Sequence, residues 1–321
     1  MIETGDKRAL TCWVVTDGRA GIEAQAQGLA EAIAARRPAT IATKRIRLAA
    51  PWRRLPRGLW GDPFARLAAS GDALNPPFPD LWIGCGRLSV PFSIAAKRKC
   101  PSTFVVQLQN PHAPFGRFDL VIAPEHDGLA GGNVFSIAGS TMRGRTFPAG
   151  ARDAKTVAVL IGGPNRAFRM TRADAERIAA ALEKLAASGA RLLVTTSRRT
   201  PADAAAALEE RLKGAADIFW RADCGEKAAN PYPRMLGDAG AILVTEDSVN
   251  MAVEAAMTGA PVHILKLARK PFASAAKFDA FHQSLAARGV SRFFSGALHQ
   301  WTYAPLNETD RAAEEVLRRL A

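Results

Sequence analysis

The residues of this chain best suited to chemistry gather where short apolar runs end. Asp17-Gly18-Arg19-Ala20-Gly21 follows the run Thr11 to Val15 and opens onto a helix-forming stretch from about Ile22 to Ala35. Glycine permits the tight bend, and the free backbone N–H groups at a helix start can face an anion. Asp17 could orient a hydroxyl there or accept its proton, or it could simply bond to the loop backbone. An ordinary strand-to-helix turn explains the same pattern, which is neither a Walker loop nor a full Gly-x-Gly-x-x-Gly fingerprint. His126 beside Asp127 is a second acid–base candidate, because imidazole titrates near neutrality, and Asn110-Pro111-His112 is a further polar turn. A structural role is an equal reading for both histidines, since neighbours in a loop need not face one another.

The second half carries anion-binding candidates at three strand ends. Gly162-Gly163 follows the run Thr156 to Ile161, and Ser197-Arg198-Arg199 follows Arg191 to Thr196. Arginine can clamp a diphosphate bidentately and serine can donate to a nonbridging oxygen, although both arginines could instead be solvated or cap carbonyls. After Ala241 to Thr245 comes a polar turn, and a helix begins near Ser248 or Val249. Its positive end suits phosphate, and Glu254 lies roughly two turns further on, where a carboxylate reaches ribose hydroxyls or merely meets solvent.

The formal charge of +13 favours anionic partners. From Lys44 to Arg66 there are seven Lys or Arg residues against one acid, Asp62. Trp52, Leu55, Leu59, Trp60 and Phe64 interleave with Arg53, Arg54, Arg57 and Arg66, a pattern able to meet an anionic membrane surface or to fold inward as a surface excursion. No recognisable reader of nucleic acid accompanies the charge, so nucleic acid is not an expected partner. No apolar run reaches membrane-spanning length, and no secretion signal follows the N-terminus. Four scattered cysteines fit a reducing compartment, and no spacing suggests a metal site or a Gly-x-Ser-x-Gly hydrolase.

Each candidate must be held by the element before it. Strand, glycine loop and helix alternate through both halves, the grammar of a doubly wound parallel sheet that binds ligands beyond its carboxyl ends. Thr171 to Asp174 and Thr200 to Asp203 read as helix caps, with Pro201 in a first turn. Met142 to Lys155, rich in Arg, Gly and Pro, reads as a linker. The expected division is 1–145, a Rossmann-like acceptor-side domain, 155–300, a Rossmann-like donor-side domain, and 301–321, a terminal segment. The amphipathic helix Glu308 to Leu320 in that segment could pack across the junction.

Taken in order, several landmarks carry a resemblance. They are Trp13 with Asp17 to Gly21, Gln107-Leu108-Gln109-Asn110-Pro111, Pro124-Glu125-His126-Asp127, and Gly162-Gly163-Pro164-Asn165. Thr196-Ser197-Arg198-Arg199-Thr200-Pro201, Asn230-Pro231-Tyr232 and Thr245-Glu246-Asp247-Ser248 complete the set. Over nearly its whole length the chain resembles the bacterial family related to plant mitochondrial-fission proteins, with glycosyltransferase-B-like architecture. The resemblance implies two Rossmann-like domains facing an interdomain cleft, with a nucleotide-sugar donor held by the second domain and Glu254 on its ribose. The expected activity is metal-independent transfer of a sugar from a nucleoside diphosphate sugar to a cell-envelope glycan or lipid-linked acceptor. Gly162, Gly163, Ser197, Arg198, Arg199, Ser248, Val249 and Glu254 would hold the donor, and Asp17 or His126 would act on the acceptor. No tightly bound cofactor is expected. The place would be the cytoplasm, or peripherally the inner face of the cytoplasmic membrane. The alternative is a noncatalytic nucleotide-sugar-binding or membrane-associated adaptor. The sequence lacks a first-strand Gly-x-Gly-x-x-Gly and a Tyr-x-x-x-Lys pair, which argues against nucleotide-sugar epimerase chemistry.

Overall fold

The computed structural model describes residues 8–144, 152–224 and 230–321, in two compact units. The first unit comprises 1–144 together with 307–321. Its elements are β1 (Leu10–Thr16), α1 (Ala20–Ala34), β2 (Ala39–Arg45), β3 (Leu81–Cys85), α2 (Ser89–Lys99), β4 (Phe104–Leu108), β5 (Leu120–Pro124) and β6 (Val134–Ile137). They form a parallel six-stranded sheet in the order β2-β1-β3-β4-β5-β6. All five residues of β3 are buried, as expected of a strand covered on both faces. One face packs on α1, through Ala26, Leu29, Ala30 and Ile33, and the other on α2 and the aromatic residues around Trp82. A buried chain of hydrogen bonds fixes α2 against the sheet: Trp82 Nε1 donates to Ser93 Oγ (3.0 Å), which donates to Gln107 Oε1 (2.9 Å).

The second unit runs over 145–306. Its elements begin with β7 (Asp153–Ile161), β8 (Phe168–Arg169), α3 (Arg172–Ala187), β9 (Arg191–Thr196), α4 (Ala202–Arg211), β10 (Ala216–Arg221) and α5 (Tyr232–Asp238). Then come β11 (Ala239–Thr245), α6 (Val249–Ala256), β12 (Val262–Leu265), β13 (Ala268–Arg269), α7 (Ala276–Ala287) and β14 (Ser291–Phe293). The main sheet is again parallel, ordered β10-β9-β7-β11-β12-β14. Strand order reverses between β1 and β3 in the first unit and between β7 and β11 in the second. Chain crossovers leave those points in opposite directions, opening a crevice beyond the carboxyl ends.

The terminal helix α8 (Glu308–Leu320) belongs to the first unit, where Ala312, Ala313 and Val316 share a core with α1. Thr309 Oγ1 accepts from Met142 N (2.8 Å), and Glu308 accepts from Ala138 N (2.8 Å). The linker-like stretch Met142 to Lys155 is therefore structured at both ends: Met142 is buried against α8, and Asp153 already begins β7. Its middle, 145–151, lies outside the described residues. Among the described residues no helix is long and apolar enough to cross a membrane.

Thr171 caps α3 as the sequence predicts: its hydroxyl and the Asp174 carboxylate close a reciprocal capping box. Thr200 does not cap α4, whose N-cap position is Pro201. The Thr200 hydroxyl turns back instead, donating to the Gly162 carbonyl and accepting from Ser197 N (3.0 Å), so it joins two strand ends.

Candidate functional site

The carboxyl ends of β9, β7 and β11 are tied together by one fully buried carboxylate, Asp247. Its Oδ2 accepts from Gly163 N (3.1 Å) and from Arg199 Nη2 (2.7 Å), and its Oδ1 accepts from the Thr245 hydroxyl (2.7 Å). Thr245 Oγ1 in turn accepts from Gly162 N (2.7 Å), and Asn165 Nδ2 donates to the Asp247 carbonyl (3.1 Å). The glycines are required by this close approach. A Cβ at Gly162 would lie on the Asp247 carboxylate, and one at Gly163 would lie on the Arg199 carbonyl. Arg199 also donates to the carbonyls of Gly163 (3.2 Å) and Pro164 (3.4 Å). Ser197 Oγ accepts from Arg199 N (3.2 Å) and lies 3.2 Å from Thr200 Oγ1, within the same turn.

Of the anion-binding candidates, then, Gly162 N, Gly163 N, Ser197 Oγ and Arg199 are spent on holding the strand ends in place. Arg198 and Arg199 are both exposed, but only Arg199 is paired: Arg198 forms no ion pair among the described residues. Directly after Asp247, Ser248 caps α6, its hydroxyl oxygen accepting from Met251 N (3.4 Å), and Val249 is the first helical residue. Amides at a helix start lack the carbonyl four residues earlier that the helix interior supplies, and here Met251 N is met by the Ser248 cap. Glu254, five residues into α6, lies about 7.5 Å along the axis from Val249. It is half-buried, and the Tyr232 hydroxyl donates to its Oε2 (2.6 Å).

Glu246, next to Asp247, is buried as well and accepts from Leu267 N (2.6 Å). Burial pushes its carboxyl above the ordinary value, and the Leu267 amide offsets part of that. A carboxyl whose pKa is raised by folding contributes stability that is complete below the unfolded value, about 4.3, and is lost as pH rises through the folded value. Glu246→Gln keeps an acceptor for Leu267 N and carries no charge at any pH. Its melting temperature should therefore gain on wild type as pH rises from about 4.5 to 8. A difference between the two that does not vary with pH would contradict this.

In the first unit, Asp17 follows β1 and is engaged by Arg19. Its Oδ1 accepts from Arg19 N (3.1 Å) and its Oδ2 from Arg19 Nε (2.8 Å), with Nη2 at 2.7 Å. His126 sits half-buried in the single 3₁₀ turn Glu125–Asp127 after β5. β3 and β4 stand between β1 and β5, so the two strand ends are about 14 Å apart. His112 is exposed, in a turn where its amide donates to Asn110 Oδ1 (2.9 Å). Gln109 adopts a left-handed conformation (φ 67°), and its amide donates to Gln25 Oε1 of α1 (2.9 Å).

With two parallel sheets, this succession of strand-end loops and the α6 opening in place, comparison with known proteins is informative. The family model described as Mitochondrial fission ELM1 matches residues 20–320. The chain belongs to this family. It is 28% identical over 282 residues to the mitochondrial fission protein ELM1 of Arabidopsis thaliana, across 76% of this chain and 64% of that protein. The chain thus spans less than two thirds of the length of that plant relative. Among solved structures, the UDP-GlcNAc 2-epimerase of Methanocaldococcus jannaschii superposes with a TM-score of 0.53 at 9% identity, covering 97% of this chain and 99% of that one. S. aureus MnaA in its UDP co-structure gives 0.52 at 12% identity, covering 97% and 89%. These likenesses show the fold: this ELM1-family chain is α/β, with two Rossmann-like domains of glycosyltransferase-B-like architecture.

Sequence reasoning about this ELM1-family member missed Asp247, Asn165 and Tyr232 as site residues, although all three stand inside the landmark segments. No local signal marks Asn165 or Tyr232. Asp247 meets Arg199 across 48 positions and Tyr232 meets Glu254 across 22, pairings that only the sheet order creates. Two consecutive acids directly after the buried strand β11, Glu246-Asp247, are the one available hint, because a buried carboxylate there demands donors from neighbouring loops.

Proposed function

We propose that the second unit binds a nucleoside diphosphate sugar and that the protein transfers its sugar to a cell-envelope glycan or lipid-linked acceptor. The observation that carries the reading is Glu254, held by Tyr232 on the helix that opens beyond the β7/β11 reversal. In this reading the diphosphate lies at the start of α6, against the Val249 and Asn250 amides, the Ser248 hydroxyl and Arg198, and the ribose hydroxyls reach Glu254. Arg199 shapes the floor through Asp247 and does not touch phosphate. The likeness to MnaA, which was solved with UDP, supports a nucleotide in this fold.

Transfer would form a bond between the acceptor oxygen and the anomeric carbon, while the bond from that carbon to the diphosphate oxygen breaks. The departing diphosphate gains negative charge, which the α6 dipole and Arg198 would stabilise. Asp17 or His126 would take the acceptor proton, Asp17 only after leaving its pairing with Arg19. The test is nucleotide release from uridine, guanosine, cytidine and adenosine diphosphate sugars, with and without extracted membrane lipids and glycans. Release that needs both donor and acceptor is the expected result. Tight donor binding with no release across the acceptor set would overturn transfer in favour of an adaptor.

A further inference from the structure

The Lys44 to Arg66 segment is a folded excursion, and its burial pattern separates structural from presented residues. Trp60 is buried, and its Nε1 donates to the Leu55 carbonyl (3.2 Å). Trp52 and Phe64 pack on the same core. Arg66 is structural: its Nε donates to the Trp60 carbonyl (2.9 Å), and its guanidinium stacks 3.8 Å from the Trp52 ring centre. What the turn presents outward is Arg53, Arg54, Leu55 and Leu59, the last with 62% of its surface exposed. Arg53 and Arg54 have no acidic partner among the described residues. With Leu48, Ala50 and Pro51 they line a cavity of about 440 Å³ that contains no acidic side chain. Lys99, at the basic end of α2, joins this surface through Asp62 (2.9 Å) and the Phe64 ring.

We propose that this turn docks on an anionic lipid bilayer, with a phospholipid headgroup phosphate in the cavity against Arg53 and Arg54. Leu55 and Leu59 enter the boundary between headgroups and acyl chains. The argument is charge and shape together. Two unpaired guanidiniums over an apolar floor recognise a phosphate that carries apolar substituents, and exposed leucines beside them gain nothing from a soluble anion. The folded excursion supplies both at one place with its own tryptophans turned inward, so docking needs no rearrangement of the core.

The experiment is flotation of the full chain with vesicles of phosphatidylcholine alone or with added phosphatidylglycerol. Wild type should float only with the anionic vesicles and lose binding as salt rises. Arg53→Gln with Arg54→Gln should lower the partition coefficient about 25-fold, fivefold for each cation. Leu59→Gln should lower it as well, with melting temperatures unchanged in both variants. Inorganic phosphate should compete no better than chloride at equal ionic strength. Wild type that ignores anionic vesicles, a double variant that floats as wild type, or specific displacement by inorganic phosphate would each overturn the proposal.

Discussion

Arg199→Ala will destabilise the second unit by about 3 kcal/mol, the usual cost of leaving a buried charge without its partner. The Asp247 side chain has no exposed surface, and Arg199 is its only cationic partner within 4 Å among the described residues. Asp247→Ala should cost less, because the Arg199 guanidinium is 45% exposed and can turn to water, leaving only Gly163 N and Thr245 Oγ1 to find new acceptors. The double variant should be more stable than the sum of the single losses predicts, by about 1–3 kcal/mol for contacting residues. Chemical denaturation of the three variants tests this. Additive losses would show that the two residues act independently, and a loss below about 1 kcal/mol for Arg199→Ala would reduce the knot to a surface ion pair.

The second large effect concerns Glu254. Glu254→Ala should weaken binding of a nucleoside diphosphate about 10- to 150-fold, which corresponds to one lost charged hydrogen bond of about 1.5–3 kcal/mol. Glu254→Gln keeps an acceptor and should lose less. Tyr232→Phe removes the donor that holds Oε2 and leaves the carboxylate in place, so it should weaken binding only a few-fold, through loss of positioning. Calorimetry with UDP on folded variants separates these grades. Equal affinities for wild type and Glu254→Ala would place Glu254 away from the ligand.

Much of the fold was legible because both sheets are parallel and buried, and their strands read as short continuous apolar runs. β3, β9 and β11 announce themselves in this way, and Glu308 to Leu320 announces itself by an apolar stripe at helical spacing. What was not legible is contact across strands. Thr200-Pro201-Ala202-Asp203 has the composition of a cap, but the Thr200 hydroxyl finds a better use in the Gly162 carbonyl of the neighbouring strand end. Ser197, Arg199 and the Gly162-Gly163 pair have the composition of a phosphate cradle, yet each also bonds within the strand-end loops: Gly163 N and Arg199 to Asp247, Gly162 N to Thr245, and Ser197 Oγ to Arg199 N. In the Lys44 to Arg66 stretch the sequence showed aromatic and basic residues together, and only packing told which tryptophans turn inward and which leucines face out. Sequence patterns thus point to the loops but not to the contacts made within them, because a polar side chain's partner is set by strand order.

The central claim is that the mouth of α6 receives a nucleoside diphosphate. A crystal structure of the full chain with UDP tests it most directly. The account predicts density with the diphosphate at the amides of Val249 and Asn250, Arg198 reaching a phosphate oxygen, and ribose hydroxyls on Glu254, while Arg199 remains on Asp247. UDP bound with Glu254 and α6 remote from it, or Arg199 released from Asp247 to hold the phosphates, would contradict the account.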